Sequence, residues 1–182
     1  MPEKPKILGL KTVAQTKIFR IEAVDLEFSN GARCEFERIN SGNLGAVMVL
    51  AILDDTLVMV REYAVGSEQY ELGLVKGLID EGESPEVAAN RECMEEIGFG
   101  VEAIQMVRKT NLIPHYNCAV SYLMLAEGLY PKTAKGDEPE ALEKVLWPLA
   151  RLDELLTHPE ITDVRTLYAI YWLKEHLKEI SA

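Results

Sequence analysis

Gly77-Leu-Ile-Asp-Glu-Gly-Glu83-Ser84-Pro85-Glu-Val87-Ala88-Ala-Asn-Arg91-Glu92-Cys93-Met94-Glu95-Glu96-Ile97-Gly98-Phe99 reads as a glycine turn feeding one short helix. Ser84 is a good N-cap, and Pro85 suits the first helical position because the N–H it lacks would be unpaired there anyway. Gly98 sits where a left-handed residue ends a helix. A helix over 85–97 places Glu92 and Glu96 one turn apart, with Glu95 on the same side. Val87, Ala88, Met94 and Ile97 are left to make apolar contacts on the other faces.

The acidic stripe needs a cause. Like charges at i,i+4 cost a solvated helix about 0.2–0.5 kcal/mol per pair. Clustered carboxylates also raise one another's pKa, so some protonate unless a cation lies between them. The stripe is therefore either a solvated face with Arg91 nearby or a hard-cation site whose oxygen ligands suit Mg²⁺ or Mn²⁺. Spacing within the helix does not choose.

A longer pattern does. Gly77, Glu83, Arg91, Glu92, Glu95, Glu96 and Gly98 fit a glycine, five residues, Glu, seven residues, then Arg-Glu-x-x-Glu-Glu-x-Gly and a hydrophobic residue, here Phe99. This resembles the Nudix box. Cys93 stands where that family usually has an aliphatic residue, and cysteine packs as a small hydrophobe. At a background of roughly 7% per position, a chance match occurs in about one window in 10⁸. That rarity favours the cation site.

Outside the box, 182 residues at 48% hydrophobic suffice for one well-buried core and are few for two independent domains. The net charge of −11 shows no basic face for nucleic acid. It also repels a polyphosphate unless cations bridge the two. The longest apolar run, Ala46–Leu53, is too short to span a bilayer, and no signal peptide is visible. Cys34, Cys93 and Cys118 lack Cys-x-x-Cys spacing and read as reduced packing cysteines in a cytoplasmic protein. The three histidines are too scattered to suggest zinc.

Phe19, Ile21, Val24, Leu26 and Phe28 approximate period two, Ser29-Asn30-Gly31 is a turn signal, and 33–39 returns as a strand. Ala46–Leu53 and Leu57–Arg61 form a hairpin buried on both faces. Val101–Lys109, Ala119–Ala126 and 144–148 read as further strands, with 112–115 and 136–140 as loops, the latter acidic and mobile. Leu152–Leu156 starts a short helix. Thr162 or Asp163 caps the last helix, whose Val164, Leu167, Tyr168, Tyr171, Trp172, Leu173 and Leu177 cover the core.

The resemblance implies an α+β fold: the Nudix mixed sheet sandwiched between helices (α/β/α) over 44–182, preceded by an antiparallel β extension over 1–43. It extends beyond the box to the Nudix branch that cleaves ADP-sugars, where such an extension commonly makes a homodimer. It implies Mg²⁺, or Mn²⁺, at a metal site made of Glu92, Glu95, Glu96, Glu140 and Lys76. Arg91 orients the glutamates through Glu83, and Glu138 or a box glutamate such as Glu95 takes the proton of the attacking water. Arg38, Arg61, Tyr63, Glu71, Pro114 and Tyr116 are the implied substrate contacts. The implied reaction is hydrolysis of a P–O–P bond in ADP-linked small molecules (ADP-ribose, NADH, diadenosine polyphosphates) with release of AMP. Two alternatives stay open: another Nudix substrate, such as a nucleotide sugar or nucleoside triphosphate, and a non-catalytic nucleotide sensor. The sensor would be marked by lost box glutamates, and none is lost.

Overall fold

The computed structural model describes residues 3–40, 42 and 45–181, and its contacts divide the chain into two units. The first comprises Met1–Leu44 and Asn111–Val120; the second comprises Gly45–Thr110 and Ser121–Ala182. The expected boundary at 43/44 lies outside the described residues. A single boundary does not foresee the return of 111–120 to the first unit.

In that unit β1 (Lys6–Gln15), β2 (Arg20–Glu27) and β3 (Arg33–Asn40) form an antiparallel sheet in that order. The turn before β3 works because Gly31 takes φ +81°, which glycine adopts without steric cost, while the Asn30 side chain accepts the Ala32 N–H. Residues 116–118 dock on β3: the Ile39 N–H donates to the Tyr116 carbonyl at 2.7 Å, and the Cys118 N–H donates to the Ile39 carbonyl at 3.0 Å. Ala23 and Val24 are buried, whereas Ile7, Leu8, Leu10 and Val13 are at least half exposed. Cys34 and Cys118 are exposed as well, so of the three cysteines only Cys93 packs in a core.

The second unit is built on β4 (Ala46–Leu53), β5 (Thr56–Ala64), β6 (Gln69–Gly73) and β7 (Val75–Leu78). α1 (Pro85–Glu92), β8 (Phe99–Asn111), β9 (Val120–Pro131) and β10 (Glu143–Pro148) follow, then α2 (Leu152–Leu155) and α3 (Val164–Ser181). The strand order is β10-β5-β4-β9-β8, with β6 on β5 and β7 on β4. β4 pairs β9 in parallel and its other partners antiparallel, so the sheet is mixed. β4 and β5 stay together only across 51–53 and 56–58; beyond that β4 takes β7 and β5 takes β6.

Alternation along the strands makes two cores. Met48, Leu50, Leu57 and Met59 meet Leu155, Ile170 and Leu173 on one face. On the other, Val47, Val49, Ala51, Val58, Val60 and Val75 meet Ala88, Ala89, Cys93 and Ile97. The expected sandwich of a mixed sheet between helices is what forms. Leu50, Leu57, Leu155 and Leu173 are almost completely buried, and each such side chain contributes roughly 1.5–3 kcal/mol. The α1 face is lined by smaller side chains, which lets that helix lie close to the sheet. Asp163 begins α3, its side chain accepting the Arg165 N–H at 2.9 Å. No helix among the described residues is long and apolar enough to cross a membrane.

Candidate active site

α1 starts as its caps dictate: the Ser84 hydroxyl accepts the Val87 N–H at 3.3 Å, and Pro85 is its first residue. It does not continue as an α-helix to Ile97. Residues Cys93–Ile97 form a π turn, closed by Gly98 at φ +74°, whose N–H donates to the Cys93 carbonyl. The expected α geometry between Glu92 and Glu96 is thereby altered, a distortion that recurs at functional sites. Cys93 and Ile97, at the two ends of the turn, are both fully buried against the sheet. Val87, expected to pack, is 55% exposed; Ala89 and Cys93 pack in its place.

Arg91 is the hub. Its Nε donates to Glu83 at 2.9 Å, Nη1 to Glu92 at 2.7 Å and Glu95 at 3.0 Å, and Nη2 to Glu83 at 3.0 Å and the Leu78 carbonyl at 2.8 Å. A guanidinium has five N–H donors, so none is left for a ligand. Glu83 also accepts the Asp80 N–H at 3.1 Å. The Arg91 hydrogen bonds hold the Glu83 carboxyl below its ordinary value and raise the Arg91 pKa.

Glu92 and Glu96 behave in the opposite way. Glu92 is 6% exposed, and burial pushes it up to about 7 despite Arg91. Burial pushes Glu96 up to about 8, with the Glu92 charge adding to the effect and Lys76 opposing it. Glu92 Oε1 takes the Arg91 bond and Glu96 Oε2 takes the Lys76 N–H at 3.3 Å. The other oxygen of each accepts no hydrogen bond among the described residues. The close approach of β7 requires Gly77, because a side chain there would overlap the Glu92 carboxylate.

These groups line a cavity of about 480 Å³ with Glu62, Lys76, Asp80, Lys135, Asp137 and Glu138. Residues 132–138 are drawn to it by the end of the box: the Lys132 N–H donates to the Gly98 carbonyl at 3.1 Å, and the Ala134 N–H donates to the Met94 carbonyl at 3.0 Å. Gly136 leaves room for the Glu138 carboxylate beside Glu95. Glu140 takes the Tyr70 hydroxyl at 2.8 Å, which also raises the tyrosine pKa. It lines a neighbouring cavity with Glu95, Glu96 and Glu138.

The other expected residues are distributed as follows. Arg61 carries ion pairs to Glu143 at 2.5 Å and Glu160 at 2.9 Å and does not line the carboxylate cavity. Strand parity explains this: Arg61 follows Leu57 and Met59 onto the α3 face, and Glu62 follows Val58 and Val60 onto the box face. That parity was the available signal for Glu62, which residue-by-residue reading missed. Lys76 cannot ligate a cation through its ammonium, which pairs with Glu62. Its backbone N–H positions Glu96 instead. Tyr63 packs edge-on to Tyr70, with centroids 5.5 Å apart. Glu71 accepts Ser67, Gln69 and Thr162; hydrogen bonds from Gln69 and Thr162 hold it down to about 2. Arg38, Pro114 and Tyr116 belong to the first unit. Arg38, whose Nε binds Glu22 at 3.0 Å, shares an apolar cavity of about 650 Å³ with Pro114, while Tyr116 is 66% exposed.

A buried carboxylate set on a glycine-fronted helix, braced by one arginine, defines a Nudix site, and the chain belongs to the Nudix hydrolase family. The NUDIX domain model matches residues 42–168, and the NudE-type Nudix hydrolase N-terminal domain matches residues 5–38. The chain is 47% identical to ADP compounds hydrolase NudE of Escherichia coli (strain K12), over 97% of this chain and 95% of that one. It is 31% identical to ADP-ribose pyrophosphatase of Bacillus subtilis (strain 168), covering 96% of each. A crystal structure of an ADP compounds hydrolase superposes with a TM-score of 0.92 at 45% identity, covering 99% of this chain and 97% of that one.

Proposed function

We propose that this hydrolase cleaves the pyrophosphate bond of ADP-linked small molecules, ADP-ribose among them, releasing AMP, with Mg²⁺ as its resident ion. The observation that carries this is the carboxylate pair of buried Glu92 and half-buried Glu96, each with an oxygen accepting no hydrogen bond among the described residues, beside an arginine with no donor to spare. The names of the two relatives support the ADP-linked class.

The donor set fits a hard divalent cation: all oxygen, with Glu92 and Glu96 raised first by burial and then by neighbouring carboxylates, which a cation would offset. As they stand, no three acidic, histidine or cysteine side chains among the described residues form a ready-made cage. Glu92, Glu95 and Glu96 would hold the ion, with Glu140 available once it leaves Tyr70. When bound, it supplies charge against the diphosphate and a more acidic water. Arg91 keeps Glu92 and Glu95 in place and touches no substrate. Glu138, beside Glu95, takes the proton of the attacking water at its carboxylate. Buried Cys93, pushed up to about 12, stays a neutral packing group.

The exposed Ile7, Leu8, Leu10 and Val13 of β1 support a homodimer in which a second copy covers that apolar sheet. A monomer in sedimentation at micromolar concentration would overturn this. The three free cysteines fit a reducing, cytoplasmic setting. The reaction is tested by mass identification of products from a panel of ADP-linked compounds with Mg²⁺ or Mn²⁺ in H₂¹⁸O. Labelled AMP or its labelled co-product is expected. Turnover of nucleoside triphosphates alone would overturn the assignment.

A further inference from the structure

Two cavities of the second unit share a wall. One holds the box carboxylates; the other, of about 270 Å³, is lined by Tyr63, Ser67, Glu71, Gly73, Thr162 and Arg165 among others. Glu62 and Lys76 are the residues that line both, and they are paired to each other. We propose that Lys76 binds the diphosphate at this wall, and that the second cavity receives the neutral, hydroxylated group beyond it. This deepens the proposed function and rests on it.

Occupancy singles out Lys76. A diphosphate entering the acidic cavity meets three cationic side chains, Arg91, Lys76 and Lys135. Arg91 has no N–H free. Lys76 gives one of its three to Glu62 and keeps two. Lys135 also lines the cavity, but only Lys76 reaches the shared wall. Glu62 keeps the ammonium at that position and is itself 40% exposed, so a phosphate can approach the pair from solvent.

The second cavity selects by charge and size. Glu71 is held ionised, with three hydrogen bonds on Oε1 and only the Thr162 N–H on Oε2. Oε2 therefore keeps a lone pair for a ligand hydroxyl. Arg165 and Asp163 are paired and offset each other. Glu62 and Glu71 then stand against Lys76 in the wall, so the cavity is net acidic, disfavours a further phosphate and accepts a sugar ring. Its volume, at the low end for ligand sites, suits one such ring better than a second nucleoside.

Gly73 provides the test. A Cβ there meets nothing within 4 Å, so Gly73→Leu fills the cavity without a clash at the backbone. The experiment compares KM for ADP-ribose with Ki for ADP, which lacks the second group. Gly73→Leu should raise the ADP-ribose KM about tenfold and move the ADP Ki by less than about twofold. Lys76→Met should raise both about tenfold or more, with Lys76→Arg recovering most of the loss. Unchanged KM values in Gly73→Leu and Lys76→Met, with the wild type active on ADP-ribose, overturn the inference. An inactive wild type overturns the proposed function instead. Equal effects of Gly73→Leu on ADP and ADP-ribose also contradict the second cavity's role.

Discussion

Gly77 and Glu92 occupy adjoining space with no room for a methyl group between them. The first glycine of the box is therefore a steric requirement of its first metal-facing glutamate, imposed across from β7 to α1. Gly77→Ala must push the Glu92 carboxylate aside or move the strand. The expected result is a loss of about 1–3 kcal/mol in stability together with weakened Mn²⁺ binding by calorimetry. Wild-type melting and Mn²⁺ affinity together would contradict it.

Arg91 joins Glu83, Glu92, Glu95 and the Leu78 carbonyl through a planar fork that lysine cannot reproduce. Its side chain is 24% exposed, so solvent screening tempers the cost. Arg91→Lys should lower stability by about 2 kcal/mol, read as a lower urea midpoint. An unchanged midpoint would show that the network is dispensable.

Stability should also depend on pH. Burial raises Glu92 to about 7 and Glu96 to about 8 from 4.5. Between these values the metal-free folded protein binds more protons than the unfolded chain. The contribution is complete below 4.5 and is lost as pH rises through the two raised values. Melting of the metal-free protein should fall between about pH 5.5 and about pH 8.5, and Mg²⁺ should restore it at the upper end, where the ionised form is required. A melting temperature that rises over this interval would contradict the sign.

Sequence reading was strong where one residue type answers a local need. Ser84 and Pro85 cap α1 as expected, the acidic stripe is visible in spacing alone, and the Arg91 brace through Glu83 follows from the resemblance to the Nudix box. It failed where tertiary contact chooses between local options. The π turn at 93–97 leaves no mark in the pattern, because α spacing also puts Cys93 and Ile97 on one face, so their burial does not distinguish the two windings. Arg61 lies on the face of Leu57 and Met59 and pairs with Glu143 and Glu160, a placement that strand parity carries and that single-residue reading does not follow. The same omission hid Glu62. The partnership of 111–120 with β3 rests on two backbone hydrogen bonds to Ile39, for which side chains carry no signal.

Glu138 has a separable role. Glu138→Gln keeps the shape of the side chain beside Gly136 and removes its basicity. The expected outcome is a fall in kcat of about a hundredfold with Mn²⁺ affinity little changed. Loss of affinity with kcat preserved at saturating metal would place Glu138 among the ligands.

The central claim is that Glu92 and Glu96 hold the ion on which hydrolysis depends. Glu96→Gln tests it most directly, since the amide fills the same space without charge. The account predicts an intact fold and loss of Mg²⁺-dependent ADP-ribose hydrolysis by about a hundredfold or more at saturating Mg²⁺. Near-wild-type turnover under those conditions would contradict it.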